Sequence, residues 1–354
     1  MAERDRHGTD LAGTRRGAGA GAVTDFAALP DSVRAALRDE PVPQWCSPTL
    51  ATLTEQRFSD PHWIFERKFD GMRCLAFRDG DRVRLLSRNR KPLNGTYPEL
   101  VEALAAQRET RFVLDGEVVA FEGRRTSFAR LQGRLGITDP DVARASSVRI
   151  YYYVFDLLHL DGKSTVAVPL IWRKRLLRKA IDFTDPLRYA PHRVGDGMAA
   201  YRAACGRGDE GVIAKRAESA YDGRRSENWL KFKCVRDQEF VVGGYTSPKG
   251  KRLELGALLL GYYQGDQLHY AGKVGTSFDE ATLHRLHQLL SGIACDTTPF
   301  TRGLVPEAGA HWVRPELVVQ IGFTEWTRDG KLRHPRYLGI RTDKDPTEVI
   351  RETR

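Results

Sequence analysis

The stretch "FERKFDGMRCL" (65–75) sets a lysine, Lys68, in a mostly apolar run, with Glu66 before it and Asp70 and Arg73 after it. A lysine so placed has two chemical uses. It can be a point charge for a phosphate, or a nucleophile once it has lost its proton. Its ordinary pKa is about 10.4, so well under about 1% is free amine at neutral pH. Neighbouring cations or a metal ion would enlarge that fraction. Arg73 is such a neighbour in sequence, and "WLKFK" supplies Lys231 and Lys233, two residues apart. Residues two apart on a strand share a face. Two ammonium groups on one face of an apolar strand call for an anion, although snorkelling lysines on an edge strand would leave the same pattern.

"LDGEVVAF" offers the opposite charge, with Asp115 and Glu117 also two apart. Carboxylate oxygens suit a divalent cation or a ribose hydroxyl, while an ordinary Asp-Gly turn would explain the same residues. "EGVIAKR" repeats the pairing with Glu210 and Lys215, "YYYVFDLL" offers Phe155 as a ring that could stack on a base, and "LLSRN" sets Arg88 straight after a predicted strand. A guanidinium there could fork onto a phosphate. Taken singly, each of these residues also has an unremarkable structural explanation.

These groups need a scaffold. The runs 82–87, 111–121, 148–160, 210–216 and 228–234 are rich in Val, Ile, Phe and Tyr and predict strands. Residues 97–107 and 172–182 have apolar spacing of three and four and predict helices. Beyond "VRDQ" (235–238) the texture changes to strands with Gly-rich turns and one helix at 279–290, which predicts a compact β-barrel. The expected organisation is a disordered tail over 1–42, a first domain over 43–236 and the barrel over 237–354, with "VRDQ" as hinge. The fold class is α+β.

Composition narrows the partners. The 354 residues carry 56 Lys and Arg against 46 Asp and Glu, a net charge of +10, which favours a polyanion such as nucleic acid. The five cysteines are scattered and form no C-x-x-C pair, which argues against a disulfide framework or a structural zinc site. No apolar run approaches a membrane span, and the first 22 residues lack an apolar signal core. A cytoplasmic, nucleoid-associated monomer is expected.

The order of the motifs is more specific than any one of them. K-x-D-G-x-R, S-R-N, L-D-G-E, Y-x-x-F-D-L, E-G-V-I-A-K and W-x-K-x-K follow one another, and "LRHPRYLGIRTDKDPTEV" adds Arg341, Asp343 and Lys344. This series resembles that of the covalent nucleotidyltransferases: DNA ligases, RNA ligases and mRNA capping enzymes. The resemblance covers residues 43–350. "ERKFDGMR", "SRNRKPLNGTYPEL", "YYYVFDLLHLDG" and "GRRSENWLKFK" are most similar to bacterial ATP-dependent DNA ligases, of the ligase C type or the ligase domain of ligase D. NAD-dependent ligases differ in carrying a four-cysteine zinc finger.

The resemblance implies an adenylyltransferase domain followed by an oligonucleotide-binding (OB) barrel, with ATP and Mg2+ or Mn2+ as cofactors. It makes Lys68 the residue that becomes AMP-lysine. It implies that Glu66 reads the adenine edge, Phe155 stacks on the ring, Arg73 and Glu117 hold the ribose region, and Lys215 joins the nucleotide site. Lys231 and Lys233 would grip the AMP phosphate, Glu210 with Asp115 would face the metal, and Arg88 would meet a nick 5′-phosphate. Arg341, Asp343 and Lys344 would orient pyrophosphate, with Asp70 beside the lysine. Nicked duplex DNA is the implied partner, bound weakly and with steep salt dependence, and Ku-like or primase/polymerase repair proteins are candidate helpers. The rivals are an RNA ligase or capping-type enzyme and, from another class, a non-catalytic DNA-end scaffold.

Overall fold

The computed structural model describes residues 26–234, 237–248, 255–303, 305–306 and 309–352. Two antiparallel-rich sheets face each other in the first domain. One runs in the order Arg38–Asp39, Lys163–Ser164, Ile150–Leu160, Arg111–Glu122, Met72–Asp79, Arg82–Ser87. The other runs His192–Gly195, Asp60–Lys68, Gly211–Arg216, Arg225–Lys233, Leu50–Leu53. The predicted strands and helices of this domain fall on these elements to within a few residues, with helices at Pro98–Ala105 and Leu170–Ala180.

Strand alternation divides the second sheet chemically. Phe65, Val212, Ala214 and Phe232 turn to one side and pack with Ala204 of the helix Gly197–Gly206. The alternate residues Glu66, Lys68, Lys215, Lys231 and Lys233 therefore turn to the other side. Between the sheets Leu75, Phe77, Val113, Phe155 and Leu158 meet Tyr221 and Trp229. Phe155 and Leu158 reach that layer because the strand Ile150–Leu160 carries an extra residue at each of these points. Its partners jump from Asp156 to Val154 opposite Asp115 and Gly116, and from His159 to Leu157 opposite Val113 and Leu114. A bulge of this kind re-aims a side chain.

The barrel is built on Gln267–Val274, Leu258–Gln264, Asp237–Thr246, Ala310–Gly322 and Ala294–Cys295, with Arg336–Ile340 added to Ala310–Gly322. Its helix, expected at 279–290, spans Glu280–Ser291 and buries Leu286 and Leu290, with the Asp279 carboxylate capping the Thr282 N–H. The hinge expected at 235–238 lies partly outside the described residues.

Two expectations are corrected. Residues 26–42 are not a disordered tail: Asp31–Ala36 is helical, Arg38–Asp39 pairs with Lys163–Ser164, and Val33 is buried. Phe26 and Leu29 also pack on the main core, so the apolar residues of "DFAALPDSVRAAL" anchor this segment. Cys205 and Cys234 form a disulfide with a Cα separation of 5.3 Å, joining the helix Gly197–Gly206 to the end of the strand Arg225–Lys233. Their 29-residue spacing carries no signature, since only tertiary packing brings them together.

Candidate active site

A cavity of about 310 Å³ opens where the barrel meets the first domain. Sheet register assembles its floor. Lys68 and Lys233 both pair with Gly211, Glu66 and Lys231 both pair with Ile213, and Trp229 pairs with Lys215. Residues far apart in sequence thus fall into rows across three adjacent strands, all pointing to one face.

The base end of the cavity is dry. Glu66, Lys215, Phe155 and Trp229 are all buried. Glu66 Oε1 accepts from Lys174 Nζ at 2.5 Å, and Oε2 lies 2.6 Å from Lys215 Nζ. Burial pushes the Glu66 carboxyl up, but Lys174 and Lys215 outweigh it and hold the group below the usual carboxylate range. Burial takes Lys215 down to about 8, with Glu66 opposing and Lys174 adding to the shift. The Lys215 ammonium sits 4.2 Å from the Phe155 ring centre and 3.9 Å from that of Trp229. Its one close polar partner is Glu66 Oε2. A carboxylate acceptor and an ammonium with hydrogens to spare therefore stand side by side. That pair matches the adenine edge, an amino donor beside a ring-nitrogen acceptor, and opposes the guanine edge, where both polarities are reversed.

At the other end cations are held by carboxylates. Lys68 forms a close ion pair with Glu210. Burial pushes the Lys68 ammonium down, yet Glu210 outweighs it and the lysine holds its proton more firmly than usual. This corrects the expectation that nearby cations free the amine. Arg73 is turned away, and the largest charge facing Lys68 is an anion. Lys231 is paired with Glu352, and Lys233 lies 3.1 Å from Glu352 and 2.7 Å from Asp237. Burial raises the Glu352 carboxyl, but Lys233 and Lys231 bring it down to about 2.

The final-motif residues line the same cavity as Lys68. The Arg341 guanidinium forks onto Asp343 at 2.9 Å through both nitrogens and lies over the Phe128 ring at 4.1 Å. It also reaches the Gly71 carbonyl at 3.5 Å. Lys344 pairs with Glu239 at 2.9 Å. Arg88 also lines the cavity, and Glu348 holds it in an ion pair. Gly71 of the K-x-D-G motif is there for space, since a Cβ would stand 2.3 Å from the Val118 carbonyl oxygen. Asp70 accepts the Phe128 N–H at 3.1 Å and so fixes the turn after Lys68.

Asp115 is the site residue the structure moves elsewhere. It is fully buried behind the cavity. Both its oxygens lie 2.5 Å from Arg73 nitrogens, and one also accepts from the Tyr221 hydroxyl at 2.6 Å. A carboxylate so engaged and outside the cavity lining is not placed to ligate a metal there. Its work is to aim Arg73, whose guanidinium lies 4.6 Å from the Phe155 ring centre. Glu117 does line the cavity, and burial pushes it up to about 7 against the pull of Arg73, Arg341 and Lys68.

A metal ion would fall to Glu210. Among the described residues no three His, Cys, Asp or Glu side chains cluster to hold a metal ion. That donor set still fits Mg2+, which commonly takes one or two carboxylates and completes its shell with phosphate oxygens and water.

The sequence profile of the ATP dependent DNA ligase domain matches residues 47–233, and that of the ATP dependent DNA ligase C terminal region matches residues 251–344. This chain belongs to the ATP-dependent DNA ligase family. The multifunctional non-homologous end joining protein LigD of Pseudomonas aeruginosa is 38% identical over 322 residues, covering 88% of this chain and 37% of that protein. LigD of Mycolicibacterium smegmatis is 36% identical over 316 residues, covering 88% and 40%. The chain thus spans about two fifths of these relatives. A solved mycobacterial DNA ligase D complexed with ATP and MES superposes with a TM-score of 0.62 at 34% identity, covering 86% of this chain and 98% of that one. The expected family and the expected α+β fold with an OB barrel are borne out.

Sequence reasoning missed Lys174, Glu348 and Glu352 in this ligase family member. Lys174 had a signal. It falls at the core spacing of Leu170, Arg173, Leu177 and Ala180 on one helix, where charge is out of place. The two glutamates had none, because only barrel docking brings them to the cations.

Proposed function

We propose that the chain seals nicks between a 5′-phosphate and a 3′-hydroxyl in duplex DNA, using ATP and a covalent lysyl-AMP intermediate. The observation that carries this reading is that Lys68, the adenine-matched pair Glu66 and Lys215, the phosphate cations Lys231 and Lys233, and Arg341, Asp343 and Lys344 share one cavity.

The chemistry follows from the residues present. Lys68 gives up a proton to solvent, and its amine attacks the α-phosphorus of ATP. A P–N bond forms, the P–O bond to pyrophosphate breaks, and Arg341 and Lys344 receive the leaving charge. Lys231 and Lys233 face the phosphorus that remains, where the cationic groups neutralise developing charge. A divalent ion at Glu210 would supply further neutralisation and compete with the Lys68 ammonium for that carboxylate. A nick 5′-phosphate oxygen next attacks the AMP phosphorus, and Lys68 leaves and regains a proton. The 3′-hydroxyl then attacks the activated 5′-phosphorus, loses its proton and expels AMP. Arg88 steadies the 5′-phosphate. Glu117 and Arg73 border the ribose position, and Phe155 is the face on which the base lies.

The substrate is taken to be DNA because the relatives are DNA ligases. A repair role in the cytoplasm, with Ku-like or polymerase partners, extends that likeness to LigD. The Glu66–Lys215 polarity argues against a GTP-using capping enzyme. Incubation with α-labelled ATP or GTP and Mg2+ or Mn2+, followed by denaturation, tests the first step. ATP label retained by wild type and absent from Lys68→Ala is expected. Sealing assays on DNA, RNA and mixed nicks test the substrate, and exclusive sealing of RNA would overturn it.

A further inference from the structure

The helix Leu170–Ala180 buries two adjacent cations, Arg173 and Lys174, on the face that meets the sheets. They have different tasks. Arg173 forks onto the buried Asp156 at 2.7 and 2.9 Å and also donates to the Val168 and Ser219 carbonyls. All of these partners are structural, so Arg173 fastens the helix. Lys174 reaches the nucleotide site through Glu66.

An ammonium has three hydrogens, and Lys174 has three acceptors: Glu66 Oε1 at 2.5 Å, the Phe155 carbonyl at 3.2 Å and the Ala190 carbonyl at 3.1 Å. It is 1% exposed and does not line the cavity, so it has nothing left for a ligand. Lys215, on the opposite side of the same carboxylate, is the reverse case. It lines the cavity, is 2% exposed and has one close acceptor, Glu66 Oε2 at 2.6 Å, for its three hydrogens. One carboxylate thus stands between a saturated lysine and an unsaturated one.

We propose that Lys174 is a positioning residue for adenine selection: by taking one oxygen of Glu66 it fixes the carboxylate's orientation and leaves Lys215 to donate to the base. This rests on the nucleotide reading above and adds a residue to it. Without Lys174, Glu66 has a single counter-ion, Lys215, and is free to turn both oxygens toward it. The donor then turns from the cavity, the acceptor can rotate, and the contrast between adenine and guanine edges fades. A lysine serving only as buried structural glue would affect folding and leave base choice untouched.

A double-variant cycle on Lys174→Gln and Glu66→Gln tests this, because coupling isolates action through a shared partner. Self-adenylation by ATP and by GTP is measured over a concentration series, with circular dichroism as the check on folding. In Lys174→Gln the KM for ATP should rise about tenfold and the preference for ATP over GTP should fall by a similar factor, while kcat is retained. Adding Lys174→Gln to Glu66→Gln should change neither quantity further. Unchanged KM and base preference in the single variant, or multiplicative losses in the double, would overturn the proposal. If the single variant does not fold, the comparison of Glu66→Gln with the charge-balanced double variant decides alone: equal KM and base preference support the proposal, and a further loss refutes it. Wild type that takes no label from ATP would instead remove the nucleotide reading on which this rests.

Discussion

The two ends of the cavity are built differently. At the base end Glu66, Lys174, Lys215, Phe155 and Trp229 all come from the first domain and are all buried. At the phosphate end the cations are paired with carboxylates, and several of those belong to the barrel: Glu352 on Lys231 and Lys233, Glu348 on Arg88, Asp343 on Arg341. On the proposed function the base end is a preformed mould, whose selectivity would exist before any ligand arrives. On the same reading the phosphate end is an exchange site, where incoming phosphate would displace a carboxylate and the barrel would move to let DNA in. Specificity and motion are thereby separated in space.

The comparison breaks first at Lys68. Lys68→Ala should retain no label from ATP while still binding the nucleotide, since the base end is intact. Loss of binding along with label, measured with a non-hydrolysable analogue, would show that the two ends are not separable. The next largest effect is expected from pH at Lys215. Its pKa is about 8, so the charged donor is present below that value and lost above it. The protonated fraction falls roughly fivefold between pH 8 and pH 9. Analogue affinity should therefore weaken as pH rises through 8, and more gently in Lys215→Arg. Affinity that is flat from pH 7 to 9.5 would count against Lys215 as the base donor.

The strand-borne part of the site was legible in the sequence, because alternation along a strand fixes the face of each residue. Lys231 and Lys233 are placed together from spacing alone, and the structure confirms their shared face through Gly211 and Ile213. Spacing failed where register was irregular or contacts were distant. Asp115 and Glu117 are two apart, yet only Glu117 lines the cavity, since Arg73 and Tyr221 occupy Asp115. The protonation of Lys68 was misjudged because Glu210, 142 positions away, is the charge that faces it. Glu348 and Glu352 lie on a separate domain from the cations they hold, and no pattern within either domain announces that contact.

Glu352 offers a sharper test of exchange. Its carboxylate sits on the two lysines assigned to the AMP phosphate, so it competes with that phosphate. Glu352→Gln removes the competing charge without removing the side chain. Analogue affinity should rise several-fold, by analogy with the roughly 1.5 kcal/mol or more measured for close charge pairs. The gain should shrink at high salt, because screening already weakens the resident pair. Weaker binding in Glu352→Gln would mean that the carboxylate supports the nucleotide site and does not obstruct it.

The smallest expected effect is at Arg88. Its partner Glu348 is about half exposed, with 51% of its side chain accessible. An ion pair in that setting contributes about 1 kcal/mol or less. Glu348→Ala should thus free Arg88 for the nick 5′-phosphate at little cost, tightening nick binding by no more than about fivefold. Analogue binding should not change, because Glu348 does not touch Lys231 or Lys233. The control is a nick lacking its 5′-phosphate, on which wild type and Glu348→Ala should bind alike. Anisotropy across a salt series separates this local gain from general attraction. Each phosphate contact contributes about 0.9 to the slope of log affinity against log salt. Freeing Arg88 should steepen that slope by about one contact on the phosphorylated nick only. An equal gain on both nicks would assign Glu348 to barrel closure, and Arg88 would then no longer be the residue that reads the 5′-phosphate.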